Sequence, residues 1–222
     1  MKRLLLAAIA AMITLPATAQ IGVAVRAGTL GPGVEVAYKL SPKLALRATG
    51  STYTYTTTEE LDEEVTVSFD AEATVGAIGA IVDFHPFNNL IRLSGGITVN
   101  LFEVSGQGTP TESYCFGDED AGGVCDGKVF TPQRMGSMGM TVSHPSSVAP
   151  YVGLGFGRVA GTKRVGFLFD VGTLYTGSPE IDLVADGLLA PTASTDQEAT
   201  LNEGIESFQW YPVVSLGLAI RL

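Results

Sequence analysis

His85 and His144 are the only histidines of the chain, and histidine is the side chain best suited to moving a proton near neutral pH. Asp83 stands two residues before His85, on the same face of an alternating segment, so an acid–base pair is conceivable there. A catalytic pair also needs a nucleophile or a bound substrate to act on, and no such set accompanies it. His144-Pro145-Ser146-Ser147 invites a Ser/His esterase reading, but no Gly-x-Ser-x-Gly elbow is present. Asp118, Glu119, Asp120 and Asp126 are suited to Ca²⁺ or to a cation bridge toward phosphate, yet their order is unlike an EF-hand loop. A solvated acidic loop is the better reading. Gly153, Gly155 and Gly157 resemble a phosphate loop without the Lys and Ser/Thr that would follow. The expectation is no catalytic, metal or cofactor residue, and no enzyme.

The elements around these residues are strands. Lys2 and Arg3, the apolar run Leu4–Leu15 and the small residues Ala17-Thr18-Ala19 form an expected secretory signal peptide, residues 1–19, cleaved before Gln20. Residues 20–222 then make one domain. With a formal net charge of −10 the chain is a poor partner for nucleic acid. No later segment supplies the ~20 apolar residues of a spanning helix. Export to an oxidising compartment makes a Cys115–Cys125 disulfide the expected state of the two cysteines.

Period-2 alternation recurs along the domain. Ile21, Val23 and Val25 oppose Ala24 and Arg26; Val34, Val36 and Tyr38 oppose Glu35 and Lys39; Leu44 and Leu46 oppose Arg47. A strand from Val65 to Phe84 changes apolar phase near Gly76, where a β-bulge is expected. Pro86 and Asn88-Asn89 then reverse the chain, and Ile91, Leu93, Ile97 and Val99 oppose Arg92, Ser94 and Thr98 up to about Glu103. Tyr151–Gly157, Val165 to Tyr175 or as far as Leu183, and Trp210–Leu222 complete eight strands. Acidic Glu59–Glu64 reads as a loop. Residues 105–148 and 186–208 read as long external loops, the second with a short helix within Asp196–Glu206.

Arg26, Glu35, Lys39, Arg47, Glu72, Asp83, Arg92, Asp170 and Arg221 all fall opposite the dominant apolar face. An eight-stranded barrel has an interior that side chains just fill, so charges of both signs can pair across it while the apolar face meets lipid. The expected fold is all-β, an eight-stranded antiparallel up-and-down transmembrane barrel.

The stretches Asp83-Phe84-His85-Pro86-Phe87, Arg92-Leu93-Ser94-Gly95-Gly96, Gly177-Ser178-Pro179 and Tyr211-Pro212-Val213-Val214-Ser215-Leu216-Gly217-Leu218 resemble those of small outer-membrane β-barrel proteins of Gram-negative bacteria, similar in architecture to OmpA-type barrels. Such barrels usually end in Phe or Trp, a feature that resembles an assembly-machinery signal; Leu222 ends this one. The resemblance implies a monomer in the outer membrane, in contact with lipid, lipopolysaccharide and the barrel-assembly machinery. The expected function is to anchor external loops for envelope structure or for an unknown surface partner. A narrow, porin-like channel and an outer-membrane lipid hydrolase are the alternatives.

Overall fold

A computed structural model describes residues 20–62, 66–87, 89–117, 125–160 and 164–222; residues 1–19, expected to be a signal peptide, Asn88, Asp118–Asp120 and residues 63–65 lie outside them. Alternating β-branched, aromatic and small residues make thirteen strands: β1 (Ile21–Gly28), β2 (Gly31–Lys39), β3 (Leu44–Asp62), β4 (Thr66–Phe84), β5 (Ile91–Asn100), β6 (Glu103–Pro110), β7 (Tyr114–Phe116), β8 (Lys128–Phe130), β9 (Met138–Ser143), β10 (Val148–Phe156), β11 (Val165–Tyr175), β12 (Glu180–Ala185) and β13 (Trp210–Arg221). Among the described residues two helices join these strands, α1 (Pro132–Met135) and α2 (Thr195–Ile205), with a 3₁₀ segment at Gly187–Thr192.

Strands β1, β2, β3, β4, β5, β10, β11 and β13 pair antiparallel in that order, and β13 pairs back to β1. The result is a closed eight-stranded barrel, the solution that leaves no ladder edge around its wall. Outward positions are apolar and exposed: Val25, Val34, Ile78, Ile97, Val152 and Leu218 all stand more than half bare. Phe84, Phe87 and Phe156 ring one end, and a Tyr175–Trp210 ring pair, with centroids 4.9 Å apart, marks the other. Apolar side chains outside and charged ones inside suit hydrocarbon around the wall.

The two ends differ. At one end the connections Ser41–Lys43, His85–Leu90 and 157–164 are short, and Arg158 ties them together. Its Nε donates to Asn89 O at 2.9 Å and its Nη1 to Pro42 O at 2.8 Å. At the other end β3 and β4 run on past the barrel as an extended hairpin. The upper half of β4 pairs with β6, β6 with β9, and β9 with β12, making a five-strand sheet above the barrel mouth.

Residues 105–148 are no unstructured excursion, since they build β6 to β9 and α1. Acidic Glu59–Asp62 continues β3 instead of looping. The strand ending at Tyr175 does not reach Leu183. Gly177, with φ +74°, and Pro179 break it, and β12 then joins the extension. No bulge occurs at Gly76: the β3–β4 pairing is continuous from Leu44↔Phe84 to Asp62↔Thr66. The apolar phase changes there because the surroundings change from barrel wall to free sheet, not because the register slips. The helix expected within Asp196–Glu206 is present as α2, its first turn capped by Ser194, which accepts from Gln197 N–H.

Candidate functional site

The inward positions of β1, β2, β3, β4, β5 and β11 bring Arg26, Glu35, Arg47, Asp83, Arg92 and Asp170 into one layer across the barrel. Arg26 Nη2 lies 3.0 Å from Glu35 Oε2 and 2.8 Å from Asp170 Oδ2. Arg47 reaches Glu35 Oε2 through Nη1 at 2.9 Å and Asp83 Oδ1 through Nη2 at 3.0 Å. Arg92 Nη2 donates to both Asp170 oxygens at 2.8 Å, and its Nη1 donates to Gly157 O at 2.5 Å. Ser94 Oγ donates to Asp83 Oδ1 at 2.6 Å. Three guanidinium groups face three carboxylates, so the layer is formally neutral. Arg47 and Arg92 are wholly buried. Their desolvation is offset only because each cation meets carboxylate oxygens in a shared network.

The layer has apolar neighbours above and below. Toward the short-turn end, Ala24, Ala37, Leu168 and Ala219 pack with Val159 and Ala160, which the β10–β11 turn tucks under the barrel. Gly22 permits that approach, since a Cβ there would sit 2.0 Å from Val159 O. Toward the extended end, Ala77, Ile81, Ala149, Tyr151, Leu174 and Val213 form a second apolar layer, with Leu30, Phe102 and Tyr211 against it. The Phe102 and Tyr211 rings stack at 4.5 Å. The voids along this column are small, about 30 Å³ above the charged layer and about 10 Å³ below it. The larger has room for only about two waters, since one needs about 10–15 Å³ of such space.

The other residues expected in the lumen network stand elsewhere. Lys39 is half-buried at the short-turn rim, beside Ser41, His85 and Arg158. Arg221 is half-buried at the same end, where its backbone N–H donates to Arg164 O at 3.0 Å. Glu72 is exposed on the extension and faces outward, as the unbroken β4 register requires. Sequence reasoning passed over Ser94 as a network member, although it shares the inward phase of Arg92. It also missed the Val159-Ala160 plug, which shows no alternation.

Above the barrel, the outward face of the extension is polar. Thr56, Thr58, Asp70, Glu72, Ser105, Gln107 and Thr141 line a concavity of about 490 Å³. The disulfide joins Cys115 of β7 to Cys125, with Cα atoms 5.8 Å apart, and ties the β7–β8 hairpin. The sequence's Ser/His candidates are not arranged for catalysis. Ser146 Oγ donates to Val148 O at 2.9 Å, and the His144 ring packs 5.8 Å from that of Phe102. Burial holds His144 below the usual imidazole range. His85 is buried past the end of β4 and close to Asp83, with no nucleophile joined to the pair among the described residues.

No family model and no curated protein sequence matches the chain. Solved structures that share its architecture include two from one organism. Acinetobacter baumannii CarO superposes with a TM-score of 0.56 at 16% identity, over 90% of this chain and 97% of that one. Acinetobacter baumannii CarO2 gives 0.55 at 18% identity, over 91% and 98%. The likeness is one of fold and spans nearly the whole of both chains: this protein is built as an eight-stranded antiparallel barrel of the kind seen in small outer-membrane proteins.

Proposed function

We propose that the protein is a non-enzymatic outer-membrane barrel whose lumen is sealed and whose work is done by the sheet extension. In this reading the short-turn end faces the periplasm and the extension faces outward, beyond the lipopolysaccharide, as in barrels with short periplasmic turns. The observation that carries it is the filled column: a neutral, buried Arg–carboxylate layer between two apolar layers, with voids of about 30 Å³ and about 10 Å³ beside it. Eight strands give an interior that side chains fill, unlike the wide lumen of large porins. A hydrated ion would have to displace paired charges to pass.

The test is conductance of the purified full chain in planar bilayers. The expected result is no stable opening in the folded protein; a steady conductance that survives repeated purification sinks the sealed-lumen reading. Cell fractionation tests the location, since recovery as a soluble periplasmic species contradicts a lipid-facing wall.

A further inference from the structure

The sheet above the barrel has two lateral edges, and among the described residues only one of them is covered. At the β12 edge, Ile181 N–H donates to Asn202 Oδ1 at 2.7 Å and Leu183 N–H donates to Glu198 Oε1 at 2.9 Å. Helix α2 thus covers that edge and satisfies its donors, a common defence against unwanted strand pairing.

The opposite edge is the upper half of β3. Strand β2 pairs with β3 only as far as Gly33↔Ser51, whereas β3 continues to Asp62. The parity of the ladder shows where its backbone groups point. His85 N–H donates to Lys43 O, which assigns the odd residues of β3 to the β4 side. Leu40 N–H donates to Leu44 O, which assigns the even residues to the β2 side. Above Ser51 the even residues Thr54, Thr56, Thr58 and Glu60 therefore aim their N–H and C=O groups away from β4. Among the described residues no strand lies beside them. All four are exposed. Their side chains leave the edge clear: Thr54 Oγ1 pairs with Thr74 Oγ1 at 2.9 Å, and Thr58 Oγ1 donates to Asp70 Oδ1 at 2.6 Å. The segment Thr52–Thr58 holds only Thr and Tyr, strong strand formers, and no proline, lysine or bulge blunts it.

We propose that Thr54–Glu60 is a docking edge that takes an extended, basic segment of a partner protein as an added strand. The proposal rests on the reading above that the extension faces out of the cell. Backbone groups would supply the affinity, as in other β-augmentation modes, and side chains the selection. Charge chooses the partner's chemistry. Glu59 and Glu60 on β3 and Asp70 and Glu72 on β4 surround the edge, and neither 52–62 nor 66–75 contains a Lys or Arg. A second copy of this chain in the same membrane fits poorly. Its β3 would run in the same direction and set Glu59 and Glu60 against their own counterparts.

The test uses the full chain in detergent micelles and a fluorescein-labelled synthetic peptide of about nine residues, alternating Lys and Val, long enough to cover Thr54–Glu60. Saturable binding is expected by fluorescence anisotropy, and replacing the Lys residues by Glu should abolish it. Thr56→Pro removes one outward donor and no β3–β4 bond, and should weaken binding at least about tenfold. Thr56→Val keeps the donor and should bind like the parent. A peptide N-methylated at alternate residues should fail against the unaltered protein, which guards against misfolding of the proline variant. No saturable binding, or equal binding by the N-methylated peptide, overturns the proposal. Dimers in light scattering that Thr56→Pro abolishes would assign the edge to a second copy and also overturn it. Bilayer conductance is independent of all these readouts, so failure here and failure of the sealed-lumen reading are distinguishable.

Discussion

Arg92 and Asp170 form the best-aligned ion pair of the lumen, with Nη2 2.8 Å from each carboxylate oxygen, and Gly155 makes room for it. A Cβ on residue 155 would lie 2.5 Å from Arg92 Nε and 2.6 Å from Asp170 Oδ1. Gly155→Ala should therefore destabilise the barrel by about 1–3 kcal/mol, the usual range for overpacking. Denaturant unfolding in micelles, followed by tryptophan fluorescence, checks this; an unchanged midpoint would show that the pair yields freely.

Arg47 bridges Glu35 and Asp83. Arg47→Met removes the shared cation and leaves both carboxylates facing a gap in the network. A loss of about 3–5 kcal/mol is expected, as for other broken buried pairs. Adding Asp83→Asn to Arg47→Met should restore a large part of it, because the layer is again neutral, Glu35 keeps Arg26, and a neutral amide costs less to bury than the carboxylate that lost its nearest cation. The same unfolding measurement reads both variants.

His85 sits in the β4–β5 turn, and burial holds its imidazole down to about 4 from 6.5, helped by the Arg158 guanidinium and opposed by Asp83, with Arg92 also lowering it. The folded state thus resists protonation that the unfolded chain accepts. Between pH 6.5 and 4 the unfolded state binds more protons, so this group's contribution to stability falls as pH drops through that window and levels off below it. Unfolding midpoints measured across the window should decline in the parent protein and flatten in His85→Gln.

Asn202 and Glu198 hold α2 onto the β12 edge. Asn202→Ala with Glu198→Ala should release the helix without opening the barrel. Each lost hydrogen bond is worth about 0.5–1.5 kcal/mol, more where it leaves a buried donor bare. Hydrogen exchange should quicken at the Ile181 and Leu183 amides and stay slow at Leu93 or Leu216. Equal protection before and after would mean that other contacts hold the edge.

The barrel itself is written locally. Each wall strand shows two unlike faces at period 2, so Val25, Val34 and Ile97 could be set outside and Arg26, Glu35 and Arg92 inside without a structure. The even count and short turns then favour closure. What the alternation cannot carry is which inward charges meet. Glu35 and Asp170 are far apart in sequence and share Arg26 only because closure brings β1, β2 and β11 together across the lumen. Glu72 illustrates the limit. It belongs to a strand with inward and outward faces, but the apolar phase changes at Gly76 because β4 leaves the barrel there. A periodic pattern records environment, and it cannot distinguish a slipped register from a changed neighbour.

The extension was illegible for a related reason. Strands β6 and β9 are rich in Gly, Ser, Thr and Met, β12 is only six residues long, and all three pair with partners distant in the chain. Their strand character comes from those partners more than from their own propensity. The sequence by itself determined a closed, lipid-facing wall with a charged interior, since burial on one side and hydrocarbon on the other impose a residue-by-residue alternation. Only the tertiary structure decided that the inward charges meet in one layer between two apolar ones, that the long insertions contribute a sheet, and that α2 covers one of its edges while no described strand pairs with the other, because each depends on contacts between segments that carry no local mark of one another.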